Sequence, residues 1–447
     1  MDRPNFLFIH SDQHTSAALS CAGNRTLSTP NLDALSARGI RFTRSYCTSP
    51  LCTPSRASFT TGRIPHASGV RWNHQRMDPA IPQLGDVLRQ AGYETAWVGK
   101  WHVPEEYPPE PDAIPGFTNL EIEGRNTGKG PYPVQIEGVN GWDHNLGLYV
   151  DRAVANTAAT FIMNKHDNPF LLSVALMTPH DICFPTEYGR WGVPPVEGLP
   201  PLPDNFPPPS NEPALLEETR FSHEWSTTFA NKWDEKGWRE ARWFYHRMVE
   251  HADASVGLVL DALRKSGLER DTVVIYTSDH GEGGGSHQWL GKLSLYDEAV
   301  SVPFIVSRPG SLPEGVVDSR RLVSSLDIFP TVCDFAGITP PPDLEGTSLK
   351  QFIEKPALPG PTFVPCALYP VGPESDVAGR MIRTSRYKYT AFSRGERPEM
   401  LVDMEADPGE MKNLAGEPSM QKVLDDHHRM LKEWIIKTRD DFIPPQG

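Results

Sequence analysis

Phe6-Leu7-Phe8-Ile9, followed at once by His10-Ser11-Asp12-Gln13, is the pattern on which this sequence turns. Four unalternated apolar residues read as a strand buried on both faces, and the polar cluster ends it. The same arrangement returns three times. Thr95-Ala96-Trp97-Val98 runs into Gly99-Lys100-Trp101-His102, Phe170–Leu176 into Thr178-Pro179-His180, and Val273–Tyr276 into Thr277-Ser278-Asp279-His280-Gly281. Val302–Val306 reads as one more strand. Helical periods lie between them. Thr29-Pro30-Asn31 opens a helix towards Gly39, Pro82–Gln90 is stopped by Gly92, and from Trp238 to Lys265 apolar residues recur at 241, 244, 248, 252, 256, 259 and 263. Apolar strands flanked by helices predict an α/β fold, a mostly parallel sheet sandwiched by helices.

Working outward, 447 residues suit one large domain and a smaller one. After Pro361 the text changes. Arg383–Phe392 and Glu399–Val402 read as antiparallel strands, and Glu417–Thr438 as a polar closing helix. The expected division is 1–361, a catalytic domain, and 362–447, an α+β subdomain with an antiparallel sheet and a terminal helix. Residues 104–145 are rich in Pro and Gly, and 194–213 hold nine prolines in twenty positions. Such inserts are expected to be binding loops or lids, with passive surface insertion as the alternative.

A net charge of −14 argues against nucleic acid and anionic membrane surfaces as partners, while a local cationic pocket still admits a small anion. The longest apolar run, Phe170–Met177, is far too short to span a bilayer. Six scattered cysteines form neither a disulfide scaffold nor a zinc knuckle. No secretory leader precedes the first strand, so a cytoplasmic location is expected for the sequence as written, and a periplasmic or secreted one if a leader was removed.

In open α/β folds ligands bind beyond the carboxyl ends of the strands. There this chain puts Asp12 and Gln13, Lys100 and His102, His180, and Asp279 and His280. Asp12, Gln13, Asp279 and His280 form an oxygen-rich set with one imidazole, suited to Ca²⁺, Mg²⁺ or Mn²⁺. Leu51-Cys52-Thr53-Pro54-Ser55-Arg56 is the most informative segment. Thr53 as N-cap and Pro54 at the first helical position predict a helix ended by Gly62. Cys52 would then lie just beyond its N-terminus, where free N–H groups favour an anion. Arg56, one turn in, could fork onto two oxygens of a tetrahedral oxyanion.

Cys52-Thr53-Pro54-Ser55-Arg56 resembles the C-x-P-S-R signature of the type I, formylglycine-dependent sulfatases. Thr29–Asp33, Ser58–Gly62, Gly99–His102, Asp279–Gly281, Gly291-Lys292 and Asp403–Leu414 are similar to further segments of that family, in its order. The resemblance covers nearly the whole chain outside the Pro-rich inserts and the stretch after them. It implies the alkaline-phosphatase-like fold and hydrolysis of sulfate monoesters of an aryl, sugar or small-alcohol group. It further implies that a maturation enzyme oxidises Cys52 to formylglycine, whose hydrate attacks sulfur with one oxygen and expels sulfate with the other. On the same resemblance Asp12, Gln13, Asp279, His280 and the modified residue 52 hold one divalent metal, Ca²⁺ by family default. Mn²⁺ is the alternative that the imidazole favours. Arg56 would hold the hydrated aldehyde, Lys100 and Lys292 the sulfate oxygens; His102 would assist collapse, and His180 would protonate or stabilise the leaving oxygen.

Many sulfatases carry paired aspartates after the first strand and Asn after the later Asp, whereas this chain has Asp12-Gln13 and Asp279-His280. Those pairs resemble choline-sulfatase-like members and formylglycine-dependent phosphonate monoester hydrolases. A phosphonate monoester or phosphodiester hydrolase is therefore the alternative reading, and a non-catalytic binding protein on a degenerate scaffold the second. Gln13 is either a ligand or an outer hydrogen-bond donor, and His287 either lines the pocket or is a loop residue. Trp142, Tyr188, Trp191 and Trp225 could cage a quaternary ammonium or stack on a sugar ring. A homo-oligomer is left open.

Overall fold

The computed structural model describes residues 3–103, 114–120, 122, 146–183, 198–222, 230–372 and 375–445. Its centre is an eight-stranded sheet in the spatial order Thr118–Asn119, Glu94–Gly99, Phe170–Pro179, Asn5–Asp12, Thr272–Ser278, Phe304–Ser307, Ile40–Phe42, Val316–Asp318. The first five run parallel. Phe304–Ser307 runs antiparallel to both its neighbours, and the last two are parallel to each other. The sheet is thus mixed and mostly parallel.

The unalternated strands are explained by what covers them. Phe6, Phe8, Trp97, Leu171, Val273 and Ile275 face one apolar layer, where Phe59 and Leu88 come from the helices Cys52–Thr61 and Leu84–Gln90. Leu7, Ile9, Val98, Leu172, Val174 and Val274 face the other. There Val154 and Val256 come from the helices Leu146–Met163 and Glu235–Lys265. Each of these central strands buries both faces, so a period of two does not appear in them.

Beyond this layer, Phe363–Leu368, Gly379–Thr384, Tyr387–Phe392 and Glu399–Asp403 form an antiparallel sheet, the core of a C-terminal subdomain. The helix Gln421–Thr438 covers one face through Leu424, Leu431 and Trp434. Met381, Phe392 and Val402 on the other face pack with Leu293, Leu295 and Tyr296, so this sheet supports the loop that carries Lys292.

The Pro-rich stretch read as a lid or insertion is, over its described part, neither free nor detached. Arg239 donates to the carbonyls of Leu199 (2.9 Å) and Pro200 (3.0 Å), and Phe206 packs edge-on against Trp238. Prolines there remove N–H groups that would otherwise need partners. Residues 104–113 and 123–145, with Trp142, Tyr188, Trp191 and Trp225, lie outside the described residues. No described helix is long and apolar enough to cross a membrane.

Asp12 ends one strand, Lys100, His180 and Asp279 follow three others, and all lie on the carboxyl edge. Gly99 makes the turn before Lys100. Its φ is +96°, and a Cβ there would lie 2.0 Å from the carbonyl oxygen of Ala175, which accepts from Lys100 N at 3.0 Å. Gly99→Ala should therefore cost more than about 1 kcal/mol of stability and lower kcat/KM by displacing Lys100. A wild-type-like melting curve and rate in that variant would show that the turn tolerates a side chain.

Candidate active site

The helix bearing the signature starts earlier than the sequence implies. It spans Cys52–Thr61 with Leu51 as N-cap, so Cys52 lies in its first turn rather than before it. Thr53 does not cap. Its hydroxyl donates to the His102 carbonyl (2.7 Å), and its N–H donates to Asn73 Oδ1 (3.1 Å). Gly62 ends the helix at φ +64°, as expected. Every residue of the helix is buried, which fixes Cys52 and Arg56 on one side a turn apart.

Arg56 is also placed differently from the expectation drawn from spacing. Instead of pointing two donors at an oxyanion, it donates from Nη2 to Asp12 Oδ2 (2.8 Å) and from Nε to Asp279 Oδ2 (2.9 Å). Nη1 donates to the Lys100 carbonyl (3.0 Å). Lys100 Nζ lies 3.0 Å from the same Asp12 Oδ2. The cations thus occupy the Oδ2 atoms of both carboxylates.

The Oδ1 atoms turn to a common point. His280 Nε2 lies 3.8 Å from Asp12 Oδ1, 3.7 Å from Asp279 Oδ1 and 3.3 Å from Cys52 Sγ. Cys52 Sγ lies 3.7 Å from Asp12 Oδ1. Ligand atoms of all four residues fall within 4.8 Å of one another, and all four residues are buried. Around a cation with bonds of about 2.3–2.6 Å, adjacent donors sit about 3.3–3.7 Å apart, so this set fits a divalent ion. The tautomer agrees. His280 Nδ1 is 2.9 Å from the Gly281 carbonyl, which can only accept, so Nδ1 carries the proton and Nε2 keeps its lone pair for the cluster.

Electrostatics follow from burial among fixed charges. For Asp12, burial alone would raise the carboxyl, but Lys100, His180, Arg56 and Lys292 outweigh it and hold it well below the usual range. Burial, then Asp12, pushes the Cys52 thiol up to about 11 against the pull of Lys292 and Lys100. An unmodified thiol here keeps its proton at neutral pH. Lys292 Nζ is 2.9 Å from Cys52 Sγ, and its residue is partly exposed while Lys100 is wholly buried. Burial and then Lys100 lower both His180 and His102 well below 6.5. The next contributors, Lys292 for His180 and Arg56 for His102, place both imidazoles in the same charged cluster.

Gln13 enters differently. With φ +70°, its main-chain N–H donates to Asp279 Oδ1 (3.0 Å), and its amide lies between Glu282 Oε2 (2.5 Å) and Cys183 Sγ (3.2 Å). His287 belongs to the interior. Its ring stacks on Tyr296 at 3.8 Å and Nε2 lies 3.3 Å from Asn205 Nδ2.

Three supports escaped the sequence reading. Asp151 accepts from the N–H groups of Met177 (2.6 Å) and Thr178 (2.8 Å) and from the Thr178 hydroxyl, bracing the turn that presents His180. Cys183 touches Gln13. Glu282, 1% exposed, accepts from Gly284 N (2.9 Å), Gly291 N (2.7 Å) and Gln13 Nε2, which ties the Lys292 loop to the metal side. The glycines after Asp279 were the one available signal, since Gly284 and Gly291 take positive φ where the chain closes around the carboxylate.

This fold, with a candidate metal site at the carboxyl edge of its sheet, is that of a hydrolase of the alkaline-phosphatase-like superfamily. Residues 4–338 match the family described as Sulfatase, and residues 285–437 match N-sulphoglucosamine sulphohydrolase, C-terminal. The chain belongs to the sulfatase family and is a sulfuric-ester hydrolase. It is 32% identical to a Delta 4,5-hexuronate-2-O-sulfatase of Bacteroides thetaiotaomicron, over 99% of this chain and 90% of that protein. The solved structure of a 2-O GAG sulfatase matches with a TM-score of 0.85 and 31% identity, over 98% of this chain and 93% of the other. A phosphonate monoester hydrolase of Agrobacterium radiobacter matches with a TM-score of 0.79 and 24% identity, over 98% of this chain and 96% of the other. At that identity the likeness concerns the fold alone.

Glu282 is a positioning residue, and its removal has a distinguishable signature. Glu282→Ala should lower kcat/KM at least about tenfold, about 1.4 kcal/mol, and weaken inhibition by inorganic sulfate through a displaced Lys292. Glu282→Gln, which keeps an acceptor for the glycines while Gln13 turns its amide, should recover most of both. Equal losses in the two variants, tracking melting temperature, would reduce Glu282 to a folding role.

Proposed function

We propose that Cys52 acts as formylglycine and that the chain hydrolyses the sulfate ester of a saccharide with the help of one bound divalent metal. The observation that carries this reading is the convergence of Asp12 Oδ1, Asp279 Oδ1, His280 Nε2 and the residue 52 side chain beside Lys292, with Arg56 and Lys100 behind the carboxylates. When bound, the metal, Ca²⁺ by preference and Mn²⁺ as the alternative, supplies positive charge against the sulfuryl oxygens.

The chain's own residues then have separable tasks. Asp12, Asp279 and His280 hold the ion, and the Gln13 N–H orients Asp279. Arg56 clamps both carboxylates and, with the first turn of the helix, keeps residue 52 aimed at the sulfur. A hydrated aldehyde at 52 offers one hydroxyl as nucleophile and a second through which sulfate can be released, a route a thiol lacks. Lys100 and Lys292 stabilise charge on the sulfuryl oxygens, where fixed cations in a dry site act most strongly. His102, held neutral by burial and its cationic neighbours, can take the proton that collapse releases. His180 stabilises the leaving oxygen. Conversion of Cys52 requires a separate maturation enzyme.

A saccharide as the alcohol is supported by the hexuronate sulfatase and GAG sulfatase likenesses over nearly the whole chain. Sulfate is preferred to phosphate monoesters because the latter carry an extra negative charge and would be held too tightly as product. Singly charged phosphonates match sulfate in charge and remain the weaker alternative.

Intact mass of the active protein should show the residue 52 thiol replaced by an aldehyde. Full activity with an unmodified thiol would contradict the nucleophile. Separately, kcat/KM for an aryl sulfate should exceed that for the matching aryl phosphonate at equal leaving-group pKa. A phosphonate preference of about tenfold, about 1.4 kcal/mol in transition-state binding, would favour the alternative.

A further inference from the structure

We propose that the turn Trp72–Gln75 is the wall that reads the sugar next to the sulfate, with His74 as a specificity-determining residue for an anionic saccharide. This rests on the saccharide-sulfate reading above and assigns it a recognition element. The turn touches the catalytic helix and the Lys100 segment together. Asn73 Oδ1 accepts from the N–H of Thr53, the residue after Cys52, at 3.1 Å. The His74 ring lies edge-on to the His102 ring, centroids 5.5 Å apart at 72°. Yet His74 is exposed while His102 is buried, so the pair runs from the charged cluster to solvent.

His74 adopts φ +66°, an uncommon region for a non-glycine residue, though one that histidine enters more often than most, and such conformations cluster at ligand clamps. The conformation is held by neighbours. Gln75 Oε1 accepts from the N–H groups of Arg71 (2.7 Å) and Trp72 (2.9 Å), closing the turn and leaving His74 projecting. Packing does not require an exposed imidazole there. The charge of the segment indicates what it meets. Arg71-Trp72-Asn73-His74-Gln75-Arg76 has two arginines and no acid in a chain of net charge −14. Arg71 is paired with Asp441 at 2.8 Å, whereas Arg76 is exposed. A sugar carrying a carboxylate beside its sulfate suits this wall, and a neutral aryl group does not use it.

The test compares the mature wild-type enzyme with His74→Ala and His74→Gln on two esters, a 2-O-sulfated uronate disaccharide and 4-nitrophenyl sulfate. On the disaccharide, His74→Ala should lose at least about tenfold in kcat/KM, chiefly through KM, and His74→Gln should recover part of it as an N–H donor. On the aryl sulfate the loss should stay below about threefold. Equal losses on both esters would mean that His74 only orients His102, and no loss on either would mean that it touches nothing. Both results overturn the inference, as does a wild type active on the aryl ester and inactive on the disaccharide. A wild type inactive on every sulfate ester would instead sink the reading of the site itself, and this inference with it.

Discussion

Two aspartates, Asp12 and Asp279, lie within a few ångströms of each other with no solvent exposure, and the site is organised by how their charge is met. Neighbouring carboxylates cannot both ionise in a dry interior without cations. Arg56 spans the pair and Lys100 joins it at Asp12. Because these cations take the outer oxygens, the inner ones face the proposed metal position, Asp279 Oδ1 while also accepting from the N–H groups of Gln13 (3.0 Å) and His280 (2.9 Å). On the proposed mechanism Arg56 serves the metal through the carboxylates, and the substrate's negative charge is met by Lys292, Lys100 and the ion. A buried network of this kind is stable only when complete, since removing one member strands a charge at a cost of about 3–5 kcal/mol.

The fold supplies that network by convergence. Asp12, Lys100, His180 and Asp279 arrive from four parallel strands, and a wholly buried helix brings Cys52 and Arg56 over their ends. Lys292 comes from a loop held on one side by Glu282 and backed on the other by the C-terminal sheet. The position of Lys292 thus depends both on Glu282 beside the central sheet and on the C-terminal sheet.

What the sequence disclosed, and what it withheld, follows from the range of the interactions. The central strands were legible because burial on both faces leaves continuous apolar runs, and the strand-end residues were legible because the carboxyl-edge rule is topological. Phe304–Ser307 was seen as a strand but not as antiparallel, since direction depends on neighbours distant in sequence. Ile40–Phe42, Val316–Asp318 and Phe363–Leu368 were missed, being short or interrupted by Arg41 and Pro365. Thr53 looked like a cap until the His102 carbonyl took its hydroxyl, and His287, open between pocket and loop in the sequence, is buried with its ring stacked on Tyr296. Glu282 and Asp151 could not be recognised locally, because an acid that accepts from main-chain N–H groups across the fold carries no motif.

The central claim is that the inner oxygens of Asp12 and Asp279, with His280 Nε2 and residue 52, hold a metal against which the sulfate sits. A crystal structure of the mature protein with the metal and inorganic sulfate, using anomalous scattering to locate the ion, tests it directly. The account requires one divalent ion within about 2.3–2.6 Å of both Oδ1 atoms, with the anion between it and Lys292 and Arg56 still on the Oδ2 atoms. An ion bound elsewhere, or an anion held by Arg56 in place of the carboxylates, would contradict it.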